Sequence, residues 1–517
     1  MRKWLPLVAV CLGAFMLLVD VTIVTVALPD IAADTGTGFT DLQWVMDGYA
    51  LALAALLLGA GSLADQIGRR RVYLAGLVLF ALASLACGLA DGPATLIAFR
   101  AVQGIGGAAM FATTMALLSA AYQGRERGIA FGVWGAVNGA AAAAGPILGG
   151  VLTEHVGWRW IFFVNVPISI LAVLVTLRAV RESKPPRTAG RFDLAGMLTF
   201  TLGAGALTYA FIRVAEDGWT GTRPLAFFAV GVLALLAFVL VETRVAEPMV
   251  DLALFRDRTF AGIVGASLLL SGAAFSYLLY VSVWLQTVRG MGPIGAGLVT
   301  LPLSLAAFVV SALAGRFLHG RSARLIVGVG LLLIGAGAAV QALMLDVGDG
   351  GGALLPGLIL TGVGVGAATP MLASVAMGTV APARAGMAGG ALNTGRQLGN
   401  ALGIAVLGVI FHSGLTRGLG AAGDLAGPVA AGQGAALTAG RPELAGVIEQ
   451  GFVTGLRDTF LASAVLGLLG ALVTFALVRP RKPAERGGRP GTDGPGSGPG
   501  REGAGRAHDE VVVVPGS

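Results

Sequence analysis

The chain is patterned as long apolar runs separated by short polar segments, and most of its charge sits in those segments. A helix needs about 20 mainly apolar residues to cross the hydrocarbon of a bilayer. Such runs are read at 5–28, 43–63, 72–90, 94–121, 129–152, 160–178, 193–213, 224–243, 260–286, 296–317, 324–345, 353–379, 385–411 and 458–478, which predicts fourteen transmembrane helices. An even number places both termini on one side. With the N-terminus taken as cytoplasmic, the inner segments hold 26 of the 35 Lys and Arg, the outer segments hold 7, and two, Arg100 and Arg396, lie within spans. Short cytoplasmic loops are enriched in basic residues, and the division follows that rule. Trp44, Trp158, Trp160 and Trp284 fall near predicted outer ends and Trp4 near an inner one, the positions of interfacial anchors.

Composition sharpens the class. Of 517 residues 56% are hydrophobic and only 12% charged, with a mean hydropathy of +0.82, which excludes a soluble globular protein. The 81 glycines have no G-X-Y period and sit inside apolar runs, where small residues let membrane helices approach closely. A net charge of +7 could suggest nucleic acid, but the basic residues are spread over loops, and no nucleic-acid partner is expected. Cys11 and Cys87 lie inside apolar runs and read as small core residues. The first 28 residues carry Asp20, end in Leu28-Pro29-Asp30 and lack a small-x-small cleavage site, so they read as a retained first helix. The Ala- and Gly-rich stretch 413–457 is expected to be an outer loop, and the Gly- and Pro-rich tail 480–517 a disordered cytoplasmic segment.

Between spans 2 and 3 stands Gly61-Ser62-Leu63-Ala64-Asp65-Gln66-Ile67-Gly68-Arg69-Arg70-Arg71. This run is similar to the signature loop of the major facilitator superfamily. Glycine allows a tight inter-helix turn, and Asp65 can cap a helix start or pair with an arginine in one conformation and release it in the other. Gly61, Asp65, Gly68, Arg69 and Arg71 are therefore the candidate gating loop.

In span 1, Leu18-Val19-Asp20-Val21-Thr22-Ile23-Val24-Thr25-Val26-Ala27-Leu28-Pro29 resembles the first-helix motif of the fourteen-helix drug:proton antiporters, the EmrB/QacA-type multidrug efflux branch, with Thr25 where Asn is usual. An acid inside a span costs about 2.5–3.5 kcal/mol on insertion scales, which makes Asp20, and Asp47 in span 2, functional candidates. Span 4 carries Arg100-Ala101-Val102-Gln103-Gly104, which looks like the branch's R-x-x-Q-G motif tied to proton coupling. Arg100, Gln103, Gly104 and Gly107 share one helix face. A guanidinium in hydrocarbon needs a counter-ion, and Asp20 is the acid at similar depth. The pair would depress the proton affinity of the carboxylate, and breaking it would raise it. Asp20 and Arg100 are thus the candidates for proton coupling. Asp47 is the competing acid, better suited to recognising substrate.

Span 5 holds Gly145-Pro146-Ile147-Leu148-Gly149-Gly150 below Gly132, which resembles the antiporter motif with Ala141 in place of one glycine. The continuation Trp158-Arg159-Trp160-Ile161-Phe162-Phe163-Val164-Asn165 also resembles the branch. In span 13, Asn393, Arg396, Gln397 and Asn400 share one polar face, while Gly395, Gly399 and Gly403 form a second face for close packing. Asn393 and Arg396 join Asp47 as candidate substrate-binding residues. The segment Gly315–Arg321 is a degraded echo of the signature loop without its Asp.

The resemblance, over residues 5–478, implies an all-α membrane protein with the major facilitator fold. Residues 1–180 would form an N-terminal six-helix half and 256–479 a C-terminal one, with helices 7 and 8 and their linkers inserted at 181–255. It further implies a monomeric proton-coupled antiporter in the inner (plasma) membrane, with both termini cytoplasmic, exporting amphipathic drugs, antibiotics or dyes. A dedicated exporter of one endogenous product or a non-transporting membrane sensor are the alternatives. No P-loop, hydrolase, kinase or zinc pattern is present and the four histidines are scattered, so the expectation is no enzyme, no metal and no cofactor beyond the proton gradient.

Overall fold

The computed structural model describes residues 2–182, 193–245, 248, 250–317, 322–380 and 385–479. Every regular element among them is helical: α1 (Leu5–Thr35), α2 (Phe39–Ile67), α3 (Arg69–Gly88), α4 (Pro93–Ala121), α5 (Gly124–His155), α6 (Trp160–Phe163), α7 (Asn165–Ala179), α8 (Leu194–Asp217), α9 (Thr222–Glu242), α10 (Arg258–Ala274), α11 (Leu278–Thr287), α12 (Pro293–Phe317), α13 (Ala323–Met344), α14 (Leu355–Thr379), α15 (Ala385–Leu419), α16 (Ala426–Pro428), α17 (Gly434–Gly440) and α18 (Leu444–Leu477), with short turns between some of them. Thirteen segments are long and apolar enough to cross a membrane, with α6–α7 and α10–α11 each counting as one. Helix α2, 29 residues packed between α4 and α15, makes the fourteenth.

Several buried hydroxyls in these helices are satisfied locally. Thr114, Thr176, Thr459 and Thr474 each donate to the carbonyl four residues earlier, at 2.6–2.8 Å, so they need no partner in the bilayer. Helices then meet where side chains are smallest. A Cβ on Gly76 of α3 would lie 2.9 Å from Gly106 O of α4, and one on Gly330 of α13 would lie 2.8 Å from Gly364 O of α14. The same close crossing thus recurs at α3–α4 and α13–α14, in keeping with a bundle built from two related halves. Helices α8 and α9 pair with each other, and α8 lies along α2 and α15, covering one flank of the seam between the halves.

Helix α2 runs antiparallel to α15, with Gln43 beside Ile404 and Thr394 beside Ala54. This arrangement puts Leu5 and Leu477 at one end of the bundle and the 23–46, 277–294 and 404–433 segments at the other, far end. There the largest buried cluster joins both halves, through Ile23, Leu28, Leu42, Tyr280, Trp284, Leu407, Phe411 and Phe452 among others. Polar bonds stitch the same end across the seam. Gln43 Nε2 donates to Ile404 O and Tyr280 Oη at 3.2 Å, and Gln286 Nε2 donates to Val26 O at 2.7 Å. The far end is closed.

Several expectations change. The stretch 413–457 is largely helical, because its glycines serve as contacts between α15 and α18: a Cβ on Gly418 would lie 2.7 Å from Gly451 Cα. Between these helices Ala426, Val429, Ala430 and Ala431 are buried in the far-end core. Spans 6 and 9 are each broken by a turn, at Val164 and at Phe275–Tyr277. Trp158 and Trp284 are core residues, 4% and 0% exposed, while Trp160 at 48% fits an interfacial anchor. Cys11 and Cys87 are free and buried, as expected. Residues 318–321 of the signature-loop echo and the tail 480–517 lie outside the described residues.

Candidate functional site

Six helices of the first half, α1 to α4, α6 and α7, converge on one charge pair. Arg100 of α4 and Asp20 of α1 are both fully buried, with Arg100 Nη1 2.6 Å from Asp20 Oδ2. The guanidinium is held from three further directions. Its Nε donates to Val45 O of α2 at 3.0 Å, Nη1 also reaches Gln103 Oε1 at 2.6 Å, and its carbon lies 4.4 Å from the Tyr49 ring centroid and 5.8 Å from that of Phe162. The second oxygen of Asp20, Oδ1, accepts from Gln103 Nε2 at 2.8 Å and from Asn165 Nδ2 of α7 at 3.1 Å. Gln103 Nε2 donates as well to Ser84 Oγ of α3 at 2.8 Å. Only this amide orientation works, since the flipped one would set its oxygen against the carboxylate.

Two properties of this cluster matter chemically. Removing two charges from water costs several kcal/mol per ion, which attraction and hydrogen bonds must offset, so deleting either partner leaves a strongly unfavourable buried charge. The pair is also single-pronged: one N–H joins the ions, and Arg100 Nη2 has no hydrogen-bond partner. Losing that one contact parts them, while Val45, Gln103 and the two rings keep the guanidinium in place.

The antiporter-like run of α5 abuts this helix. Gly149 packs on Ile23 O, and a Cβ on Gly145 would collide with Thr22 Oγ1, both just beyond Asp20 on α1. On the other side Gly150 faces Ile294, and Gly297 faces Pro146 O, which ties α5 to α12 of the second half. The helix that carries the first half's acid is thus linked to the second half through α5 as well as directly, at Val26 and Gln286.

Asp47 lies apart from the cluster. It is fully buried on α2, one turn beyond Gln43, and neither of its carboxyl oxygens has a hydrogen-bond partner. Asn393 and Arg396 of α15 are half-buried, with neither a hydrogen bond nor an ion pair among the described residues. Gly395, Gly399 and Gly403 pack against Val264, Leu268 and Gly272 of α10, as their shared face predicts.

In the signature loop a single residue, Gly68, joins α2 to α3, with φ +116°, a conformation that other residues rarely adopt. Glu182, just past α7, sits over the start of α3. Its Oε1 accepts from Arg70 N at 3.1 Å, Arg71 Nε is 3.9 Å from Oε2, and a Cβ at Gly68 would lie 2.7 Å from the carboxylate. A carboxylate there complements the helix dipole. The side chain of Asp65 lies outside the described residues.

Sequence reasoning assigned roles to Asp20 and Arg100 but none to Ser84, Tyr49, Asn165 or Glu182. Asn165 and Ser84 carried a signal, as polar residues in apolar runs. Tyr49 and Glu182 carried none, because only the packing brings them to the site.

The sequence profile described as Major Facilitator Superfamily matches residues 10–404. The Multidrug resistance protein Stp of Mycobacterium tuberculosis (strain ATCC 25618 / H37Rv) is 40% identical over 416 residues, covering 80% of this chain and 77% of that protein. The Tetracenomycin C resistance and export protein of Streptomyces glaucescens is 35% identical over 421 residues, covering 80% and 76%. Among solved structures, a bacterial homolog of the human lysosomal transporter Spinster, inward-facing and unoccupied, aligns with a TM-score of 0.66 at 17% identity over 93% of this chain and 99% of that one, a likeness of fold.

Proposed function

The chain belongs to the Major Facilitator Superfamily, and on that premise we propose that it is a proton-coupled antiporter that exports amphipathic drugs, antibiotics or dyes by alternating access. It is a multi-pass membrane transporter, not an enzyme. The observation that carries the coupling is the fully buried, single-pronged pair of Asp20 and Arg100.

The mechanism follows from the connections of α1. A proton arriving on Asp20 removes its charge and with it the attraction to Arg100, which stays bound to Val45 O, Gln103 and the rings of Tyr49 and Phe162. Helix α1 then loses its ionic tie to α4 and keeps the weaker neutral one from the Gln103 amide to Asp20 Oδ1. It carries Thr22 and Ile23 against Gly145 and Gly149 of α5, and Val26 against Gln286 of α11, so its shift reaches both halves. Cargo enters while the far end is closed and leaves when the far-end seam opens. Return of the carboxylate to Arg100 resets the cycle. Asp47, Asn393 and Arg396 form the substrate-facing positions, and Asp65, three residues before Gly68 in the chain, contributes to only one of the two gate states. The antiporter-motif residues Gly145, Pro146, Gly149 and Gly150 are the bearing between α1 and α12.

Cells carrying the gene should tolerate several chemically unlike toxic compounds better than cells lacking it, and a protonophore should erase the difference. A resistance gain that survives the protonophore would overturn the coupling; no gain for any compound would overturn the export.

We also place the protein as a monomer in the inner membrane with both termini cytoplasmic, residues 1–180 and 256–479 as the two halves, 181–255 as the insertion and 480–517 as a cytoplasmic tail. Arg181 and Arg441 are exposed in the structure, which makes them suitable probes. Arg181→Cys should react with an impermeant thiol reagent only in inside-out vesicles and Arg441→Cys only in intact cells. The reverse pattern would invert the topology.

A further inference from the structure

Two arginines lie within predicted spans, and the protein treats them differently. Arg100 has a carboxylate, a carbonyl, an amide oxygen and two aromatic rings around it. Among the described residues the Arg396 side chain has neither a hydrogen bond nor an ion pair. It is the twelfth residue of α15, so it stands about 17 Å along the helix, near the middle of a hydrocarbon layer about 30 Å thick. A guanidinium stays charged at any physiological pH, and at that depth an unmatched charge is costly.

The surroundings of α15 show where this charge points. Thr394 donates to Ala54 O of α2 at 3.3 Å, Ala401 packs with Ala50 and Leu51, and Gly395, Gly399 and Gly403 lie on α10. Leu398 packs against the cluster formed by Ala50 and Leu51 of α2, Ala204 of α8 and Ala401. Asn393, Arg396, Gln397 and Asn400 occupy the remaining arc, opposite Leu398, between the lines of contact with α2 of one half and α10 of the other. All four are half-buried, and none makes a side-chain hydrogen bond among the described residues. This arc faces the space between the halves, at the height of the membrane centre, with one cation and three carboxamides unspent.

We infer that this face of α15 is an anion-recognising subsite, and that the exporter takes cargo bearing an ionised acid, a carboxylate or phenolate, on an apolar frame. The inference rests on the export reading and deepens it. Arg396 supplies the counter-charge, and Asn393, Gln397 and Asn400 donate to neighbouring oxygens. The apolar frame lies beside this arc, against the flanking helices α2 and α10. Charge-assisted bonds to a guanidinium are roughly twice as strong as neutral ones, so the acid is selected over its neutral analogues.

The test uses two probes on one frame, the pyrenebutanoate anion and the neutral pyrenebutanamide, in proteoliposomes energised by a pH gradient. Wild-type protein should transport the anion about tenfold better or more, a ratio in the range of one charge-assisted hydrogen bond. Arg396→Gln should erase that preference by cutting transport of the anion far more than that of the amide, and Arg396→Lys should keep most of it. A preference unchanged in Arg396→Gln, or an equal loss for both probes, would overturn the subsite. If wild-type protein moves the amide as well as the anion, the inference falls and the export reading stands. If it moves neither these nor any compound of the resistance panel, both fall.

Discussion

Arg100→Gln should be the most destabilising conservative change in the first half. The glutamine can still reach Val45 O, but Asp20 would keep a buried negative charge with only the Gln103 and Asn165 amides facing it. Breaking a buried pair by removing one partner costs about 3–5 kcal/mol, a large part of the stability of a folded protein. Cys11 and Cys87 give a direct readout, since both thiols are free and buried and react with a maleimide dye only on unfolding. The variant should label at a markedly lower temperature than wild type, or fail to accumulate in the membrane. Asp20→Asn combined with Arg100→Gln should restore much of the lost stability without restoring transport, because the double variant buries no charge there. An Arg100→Gln protein as heat-resistant as wild type would mean that the pair contributes little, and would remove the support for a held guanidinium.

That site was partly legible in the sequence for a physical reason. Hydrocarbon tolerates so few charges that Asp20 and Arg100 stand out of their apolar runs, and the lack of any other acid at that depth in spans 1 and 4 suggested the pairing. The ligand geometry around them was not legible. Val45 contributes a carbonyl oxygen, which any residue type carries, and Tyr49 contributes a ring face in a helix where a Tyr is unremarkable.

The fold was read more fully than its ends. Span counting works because each helix must satisfy its own backbone in lipid, so length and apolarity are enough. Beyond the hydrocarbon that constraint lapses. The segment 413–457 therefore looked like a loop by composition, although Gly414, Gly418, Gly451 and Gly455 are the contacts that let α15 and α18 run together past the membrane-length core. The tryptophans failed in the same way. Sequence position put Trp158 and Trp284 near span ends, but both lie in the far-end core.

Asp20→Asn should abolish coupling, and the fold should survive at a cost in stability, since the buried Arg100 charge is left with Val45 O, Gln103 and two aromatic rings but no carboxylate. The amide has the shape of the carboxyl, and its oxygen can still accept from Gln103 or Asn165, but the charge that holds Arg100 is gone in every state. With no carboxylate to alternate between a proton and Arg100, the cycle loses the step that ties proton entry to helix α1. Substrate-induced proton release from purified protein should vanish, and efflux against a gradient should fall to the level of empty vesicles, while downhill exchange persists. Asp47→Asn is the control for role, since that acid is buried on α2 without touching the pair. It should change which compounds are moved, with cationic compounds affected more than neutral ones, and leave proton release per substrate unaltered. If instead Asp20→Asn still drives uphill export with an unchanged pH profile, and Asp47→Asn stops it for every substrate, then the acid on α2 carries the proton. The Asp20–Arg100 pair would then be a static tie between α1 and α4.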